Sequence, residues 1–306
     1  MDIGADLGKL LKGTVLVAES LARHTTYGVG GLVSVYIIPY DRNDLAIIFD
    51  FARKNEIAFF LIGHGSNLLV SDDGFTGIAI SLGKHFKLLE INANRITAET
   101  GLSLQRLVRE SIKNNLTGLE GLSGVPGTLG GALMMNAGAY GAEISNHLVT
   151  VEVIDSHGKT RTILAENIDF SYRQSGFNTN DIILRAEFEL NPGKPEDISH
   201  RCQMANKARK SSQPLNKRSA GSVFKNPSLG LAAGYLIDQC GLKGTRIGDA
   251  EISNKHANFI INRGSATASE IVSLIQLVRN KVAAKFNIDL ELEIKTLGFD
   301  PAIISL

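Results

Sequence analysis

Hydrophobic positions change their period several times along this 306-residue chain, and each change marks an element. A short helix-like stretch opens residues 1–20 and leads into Thr14-Val15-Leu16-Val17. Val33–Pro39 reads as a strand stopped by its proline. Leu45, Ile48, Phe49 and Ala52 recur at helical spacing and predict a helix over 44–55. Strands are expected at 58–62, 68–70 and 77–82. Residues 88–91 and 95–98 form a hairpin pattern around Asn92-Ala93-Asn94. An amphipathic helix follows over 103–114, with Ser103 as its cap. Strands at 148–154, 160–163 and 182–190 lead to the clearest breaker, Asn191-Pro192-Gly193-Lys194-Pro195. Beyond it the pattern predicts helices at 196–211, 230–240 and 268–286, and strands at 258–262 and 289–295. The sum is an α+β chain, too long for one core. Three units are expected, at 1–85, 86–195 and 196–306.

Composition adds exclusions. Lys plus Arg is 32 and Asp plus Glu 31, a net charge of +1, so no general nucleic-acid or membrane partner is expected. A local anionic site stays open. Cys202 and Cys240 show no metal or redox spacing, which reads as two free thiols in a reducing compartment, with one disulfide as the alternative. No metal site is expected. Met1–Asp6 carries acidic residues before any apolar run, unlike a secretory signal, and no run approaches a membrane span. The cytoplasm is the expected location.

The 31 glycines are clustered, which means turns or backbone pressed against a ligand. Gly63-His64-Gly65 and Gly28-Val29-Gly30-Gly31 lack the third glycine of a dinucleotide fingerprint, and Gly4–Lys9 is too short for a phosphate loop. In Leu61–Val70 a polar glycine loop joins two strands. Its backbone N–H groups could nest phosphate oxygens, or it could be an ordinary turn. The block Gly118–Gly141 holds eight glycines yet stays apolar, which suits backbone packed against a large flat ligand. The alternative is a tightly packed helix start after Pro126.

Three further segments carry chemistry-bearing side chains. Arg173, in Phe170–Ser175, can grip a carboxylate or form a surface ion pair. Ser222 follows a glycine without a hydrolase elbow or triad, which leaves a proton-donating hydroxyl or a capping serine. Asp289–Ile294 alternates, so in a strand Glu291 and Glu293 share one face, either solvated or with one acid buried.

In chain order, Leu21–Gly31, the Gly-His-Gly-Ser-Asn loop, the 118–141 block, Ser171-Tyr172-Arg173, Ala220–Pro227, Lys255-His256-Ala257-Asn258-Phe259 and Leu290–Ile294 resemble the UDP-N-acetylenolpyruvoylglucosamine reductase family, the MurB flavoenzymes. The resemblance covers nearly the whole chain. It implies a two-lobed FAD-binding domain of the vanillyl-alcohol-oxidase (PCMH) type with FAD between the lobes, plus a C-terminal α+β substrate domain. It implies that Gly63, Gly65, Ser66, Asn67 and Leu68, together with Ser123, Gly124, Pro126, Gly127, Thr128, Gly130 and Gly131, hold non-covalent FAD. Asn136, Ala137 and Gly138, with Tyr27, are implied near the same cofactor.

The implied reaction uses NADPH to reduce FAD, which then reduces UDP-N-acetylglucosamine enolpyruvate to UDP-N-acetylmuramate for peptidoglycan. Ser222 matches the family's proton donor, and Arg173 and Glu293 match the pair that stabilises the enolate-like intermediate. Lys210 and Asn226 match substrate-binding positions, and Lys217, Arg218 and Lys225 add positive charge for the diphosphate. Only Gln174–Asp181, which contains no tyrosine, follows Arg173 before the next strand. The chain therefore resembles the shorter subclass, without the insertion whose tyrosine closes over substrate. A monomer is expected. An oxidase on the same fold, or a nucleotide-sugar binder without chemistry, would not need Arg173, Ser222 and Glu293 together.

Overall fold

Residues 2–155, 157–177, 181–227 and 230–304 are described by the computed structural model of the chain. Part of the Gln174–Asp181 segment, residues 178–180, therefore lies outside them. The chain divides into two compact units. One comprises Met1–Val17, Ser34–His64 and Gly77–Arg209, the other Ala18–Val33, Gly65–Thr76 and Lys210–Leu306. One crossing falls between His64 and Gly65, inside the Gly-His-Gly-Ser-Asn loop.

Within the first unit, α1 (Ile3–Leu10) precedes β1 (Thr14–Ser20), β2 (Leu32–Ile38) and α2 (Arg42–Lys54). The Asp41 carboxylate accepts the Asn43 and Asp44 N–H groups and so starts α2, while Arg53 and Lys54 complement its C-terminal dipole. The helical spacing read from the sequence buries Leu45, Ile48, Phe49 and Ala52. They pack with Leu7, Val35, Ile37, Ile78 and Ile80. After β3 (Phe59–Leu61) the chain passes through β4 (Leu68–Val70), which lies in the second unit, to β5 (Phe75–Ile80), and a four-stranded sheet runs in the order β1-β2-β5-β3, with β3 and β5 parallel.

A second, antiparallel sheet follows. The hairpin of β6 (Leu89–Asn92) and β7 (Arg95–Glu99) forms as its pattern predicts, with Asn92 opposite Arg95. The strands Thr160–Leu164, Leu148–Ile154 and Ile182–Glu189 complete five strands, with Ile182–Glu189 beside β7. The helix α3 (Leu104–Lys113) is capped by Ser103, whose hydroxyl accepts the Arg106 N–H, and buries Leu104, Leu107 and Val108. The glycine block holds α4 (Leu129–Met134), and α5 (Pro195–Ser212) follows the proline-rich breaker.

The second unit is built around α7 (Ala268–Phe286), reached after α6 (Ala233–Gln239). Thr267 and Glu270 form a reciprocal capping box at its start. Its Ile271, Leu274, Ile275, Val278 and Val282 are buried with Leu236, Ile252, Ile260 and Leu290. The antiparallel strands Arg246–Ile247, Ala250–Ile252 and Ile260–Asn262 lie in that order, and β4 pairs in parallel with Lys295–Leu297.

The alternating run 289–295 departs from the strand its pattern predicts. Only Leu292 bridges, to Phe224, and the regular strand begins at Lys295. Its partners explain the change. Glu291 and Glu293 bond the backbone of Val223 and Lys225, and Lys295 then bonds Asn67 beside β4. No single partner spans the run, so the two acids part company. Glu291 is exposed and ion-paired with Lys225, whereas Glu293 is partly buried. No described helix is long and apolar enough to cross a membrane.

Candidate functional site

The glycine block of the first unit is both a helix start and a close backbone contact. The Thr128 hydroxyl accepts the Gly131 N–H and caps α4. A β-carbon on Gly63 would stand 2.5 Å from that hydroxyl, and one on Gly130 would stand 3.1 Å from Thr100. The hydroxyl of Ser123 accepts from Asn206 at 3.0 Å and from Cys202 at 3.2 Å, both on α5. Pro126 and Gly131 are exposed, and Gly124 and Gly127 are partly buried with positive φ. Ala137 is fastened by its N–H to Ala132 and by its carbonyl to Ile144.

Arg173 stands at the tip of a tight turn closed by two bonds of 3.1 Å between Ser171 and Gln174. Its φ is 58°, a conformation that costs a non-glycine residue about 1–3 kcal/mol and persists where surroundings impose it. Those surroundings are visible. Asn136 donates to the Ser171 carbonyl at 3.1 Å, and Ser175 donates to the Met134 carbonyl at 2.8 Å. The turn is thus tied on both sides to the end of the glycine block. A β-carbon on Gly138 would lie 3.2 Å from the Arg173 guanidinium, so glycine there keeps the arginine's place open. Buried Arg209 lies close enough for Arg173 to act on it. Burial pushes the Arg209 guanidinium down and the Arg173 charge adds to that, while Tyr140 opposes it. Two neighbouring guanidinium groups favour an anion beside them.

In the second unit, Ser222 follows Gly221, whose φ is 79°. The next residues are bonded on both edges. On one edge the Val223 N–H donates to the Asn258 carbonyl at 2.9 Å. On the other the Val223 carbonyl accepts the Glu293 N–H at 2.8 Å, and the Lys225 N–H donates to the Glu291 carbonyl at 2.9 Å. The backbone that follows Ser222 is thereby held in one register with Glu293. Asn67 adds to it, donating to the Glu293 carbonyl at 3.1 Å and accepting the Lys295 N–H at 2.9 Å. Lys210 is exposed, and its carbonyl accepts the Lys255 ammonium at 2.6 Å. The Asn226 amide oxygen accepts the Ala233 N–H at the start of α6. Lys217 and Arg218 are exposed, and a β-carbon on Gly28 would meet the Arg218 guanidinium at 2.6 Å.

The glycine loop is set by the turn at residues 24–28. The Thr26 N–H donates to the Gly65 carbonyl at 3.1 Å, and the Thr26 hydroxyl donates to the Ser219 carbonyl at 2.6 Å. Gly65 has φ 59°. Ser66 and Asn67 are partly buried, and Leu68 opens β4. Tyr27 is fully buried in the second unit's core, and burial raises its phenol. Its carbonyl accepts from Asn262 at 2.9 Å, so this residue anchors the turn.

Comparison with known proteins decides the family. Residues 213–297 match the UDP-N-acetylenolpyruvoylglucosamine reductase C-terminal domain, and residues 33–164 match an FAD binding domain. A protein of Heliobacterium modesticaldum named UDP-N-acetylenolpyruvoylglucosamine reductase is 41% identical over 94% of this chain and 92% of its own length. One of the same name from Chloroherpeton thalassium is 40% identical over 96% and 97%. The chain belongs to the UDP-N-acetylenolpyruvoylglucosamine reductase family. The crystal structure of the Thermus caldophilus MurB superimposes with a TM-score of 0.80 at 36% identity, covering 94% of this chain and 99% of that one. The chain is therefore an FAD-dependent oxidoreductase with an FAD binding domain and an α+β fold.

The residues present fit a flavin nucleotide. Glycine at 63, 124 and 130 packs backbone against Thr128, Asn206 and Thr100, and the φ values of 78° at Gly124 and 135° at Gly127 suit glycine. Asn136 is buried, uses its amide nitrogen on Glu143 and Ser171, and leaves its amide oxygen without a partner among the described residues. Such an acceptor is completed by a bound group or an ordered water. Among the described residues no His, Cys, Asp or Glu cluster could hold a metal ion.

Sequence reasoning missed Arg209, Thr26 and a role for Asn258. For Arg209 a signal existed, because Ile198, Ala205 and Arg209 form the buried stripe of α5 at helical spacing. Thr26 lies in the Leu21–Gly31 motif, but its partners 39 and 193 residues away left its bonds illegible.

His256 yields a pH prediction. Burial and, secondarily, Lys243 push its imidazole below the usual histidine value. Its Nδ1 accepts the Asn258 N–H at 3.3 Å, which only an unprotonated nitrogen can do. The unfolded chain binds the proton more readily, so this stabilisation is present above about pH 6.5 and fades as pH falls. The melting temperature should drop between about pH 7 and pH 5, and His256→Gln should flatten part of that slope. An unchanged slope would remove His256 from the account.

Proposed function

We propose that this protein reduces UDP-N-acetylglucosamine enolpyruvate to UDP-N-acetylmuramate with NADPH as electron donor, as the names of its relatives indicate. The observation that carries this reading is the hydrogen-bonded register between the Ser222 segment and Glu293. When bound, FAD supplies the hydride chemistry linking NADPH to the enolpyruvyl double bond. Gly63, Gly65, Ser66, Asn67 and Leu68 would hold it from one loop, and Ser123–Gly131 with Asn136–Gly138 from the glycine block. Tyr27 would contribute by anchoring the turn under Gly65.

Addition of hydride to one carbon of the double bond develops negative charge on the other carbon and its carboxylate. Arg173, held in its strained turn before substrate arrives, would stabilise that charge without reorganising. Glu293 would assist by hydrogen bonding to the same charge when its carboxyl is protonated. Ser222 would give its hydroxyl proton to the carbanionic carbon and complete the product. Lys210 and Asn226 would bind the substrate, with Lys217, Arg218 and Lys225 adding positive charge for its diphosphate. The reading includes a cytoplasmic monomer, with residues 1–85 and 86–195 as FAD lobes and 196–306 as substrate domain. Three hydrophobic clusters lie mainly within these stretches, with Tyr27, Val29 and Leu69 joining that of 196–306 and Ile154, Ile182 and Leu184 joining that of 1–85.

One anaerobic experiment tests it. The purified protein should show a flavin spectrum that bleaches with NADPH and recovers on adding the enolpyruvyl sugar nucleotide. Recovery with oxygen but not with that substrate would refute the assignment.

A further inference from the structure

The Lys255–Phe259 motif is the one sequence signature to which no role has been given, and it contains a buried asparagine in an unusual setting. Asn258 is 4% exposed. Its amide oxygen accepts the Phe224 N–H at 2.9 Å, and its amide nitrogen donates to the Phe224 carbonyl at 2.8 Å. One donor and one acceptor meet their opposites on the same residue, so the orientation of the amide is determined. The Asn258 main chain adds the bond from Val223 N–H. A single residue thus supplies three bonds to the two residues after Ser222.

The opposite edge of that segment is bonded to Glu291 and Glu293. Val223 and Phe224 therefore lie like a short strand between Asn258 and the glutamate run. Their own side chains are fully buried and leave no lateral freedom. Gly221, just before Ser222, has no atom within 4 Å of where a β-carbon would be. Space is open at Gly221 on one side of Ser222, and the backbone is clamped on the Phe224 side.

We infer that Asn258 is a positioning residue for the protonation step, fixing the backbone from which Ser222 projects in register with Glu293. This rests on the proposed roles of Ser222 and Glu293. Proton transfer depends steeply on placement, and a displacement of about 1 Å can cost about a hundredfold in rate. Apolar replacements leave both Phe224 backbone groups without these partners, and a carboxylate keeps only the acceptor.

The test follows flavin absorbance anaerobically in two phases, reduction by NADPH and re-oxidation by UDP-N-acetylglucosamine enolpyruvate. Asn258→Ala should slow the second phase about 10- to 100-fold and leave the first unchanged. Asn258→Asp should fall between it and wild type. The solvent deuterium isotope effect on the second phase should rise in both variants, which a purely structural loss would not cause. Ser222→Ala/Asn258→Ala should be no slower than Ser222→Ala, because the positioned hydroxyl is already gone. Multiplied penalties in the double variant, or equal slowing of both phases, would overturn the inference. If Ser222→Ala itself leaves the second phase intact, the catalytic reading has failed, and the inference with it. If Asn258→Ala does not fold with flavin bound, Asn258→Asp decides. If neither folds, Asn258 serves the fold alone and the inference is wrong.

Discussion

Ser222→Ala should leave NADPH reduction of the flavin at its wild-type rate and slow re-oxidation by the enolpyruvyl sugar nucleotide by about 10²- to 10⁴-fold, the span that a positioned general acid contributes. The separation of the two half-reactions is the point. The bonds that hold this segment run through the main chain of Val223 and Lys225 and through Asn258, and none of them uses the serine hydroxyl. Its removal therefore subtracts a proton without moving the backbone. Rapid-mixing absorbance measures both phases, and a melting curve checks that the fold is unchanged. Equal slowing of both half-reactions would take the proton away from Ser222.

Gly65→Ala should cost the protein its flavin and several degrees of melting temperature. Two penalties combine. The φ of 59° costs a residue with a β-carbon about 1–2 kcal/mol. The new carbon would also stand 2.1 Å from the His24 carbonyl oxygen and 2.7 Å from the Thr25 α-carbon. Both are main-chain atoms, so no rotamer change relieves the collision. The 24–26 turn must move, and with it the bonds from Thr26 to Gly65 and Ser219. Gly241→Ala is the control, because Gly241 has φ 70° and open space around it. It should lose only the conformational part and retain flavin. Flavin content after gel filtration and thermal melting read the difference. Equal behaviour of the two variants would contradict the collision argument.

The long elements were legible from residue pattern alone. The helix of Leu45, Ile48, Phe49 and Ala52, the cap at Ser103 and the hairpin at residues 92–95 depend on neighbours a few positions away. Short strands were legible where apolar residues run together, as at Leu68–Val70 and Ile260–Asn262, but Arg246–Ile247 gave too few positions for a period to register. The run 289–295 misled because alternation describes one partner sheet, whereas this segment changes partner at Ile294. At the candidate site, Arg173, Ser222 and Glu293 came from motifs that resemble a family. What holds them did not: the Asn136 and Ser175 bonds to the Arg173 turn span 35 and 41 residues, and Asn67 reaches Glu293 across 226.

By itself the sequence determined the α+β class, and its motifs carried the resemblance that implies which glycines and polar residues would meet a flavin and its substrate. The class is a property of residue type and short spacing, and the physics behind it is local: helical period, proline and glycine punctuation, caps. The tertiary structure alone decided which of two alternating acids is partly buried, that Tyr27 is core, and that Asn258 clamps the backbone after Ser222. Each of these depends on which distant segment supplies the other half of a hydrogen bond. That choice is made by burial of the second unit's core around α7, and no window of the sequence contains both partners.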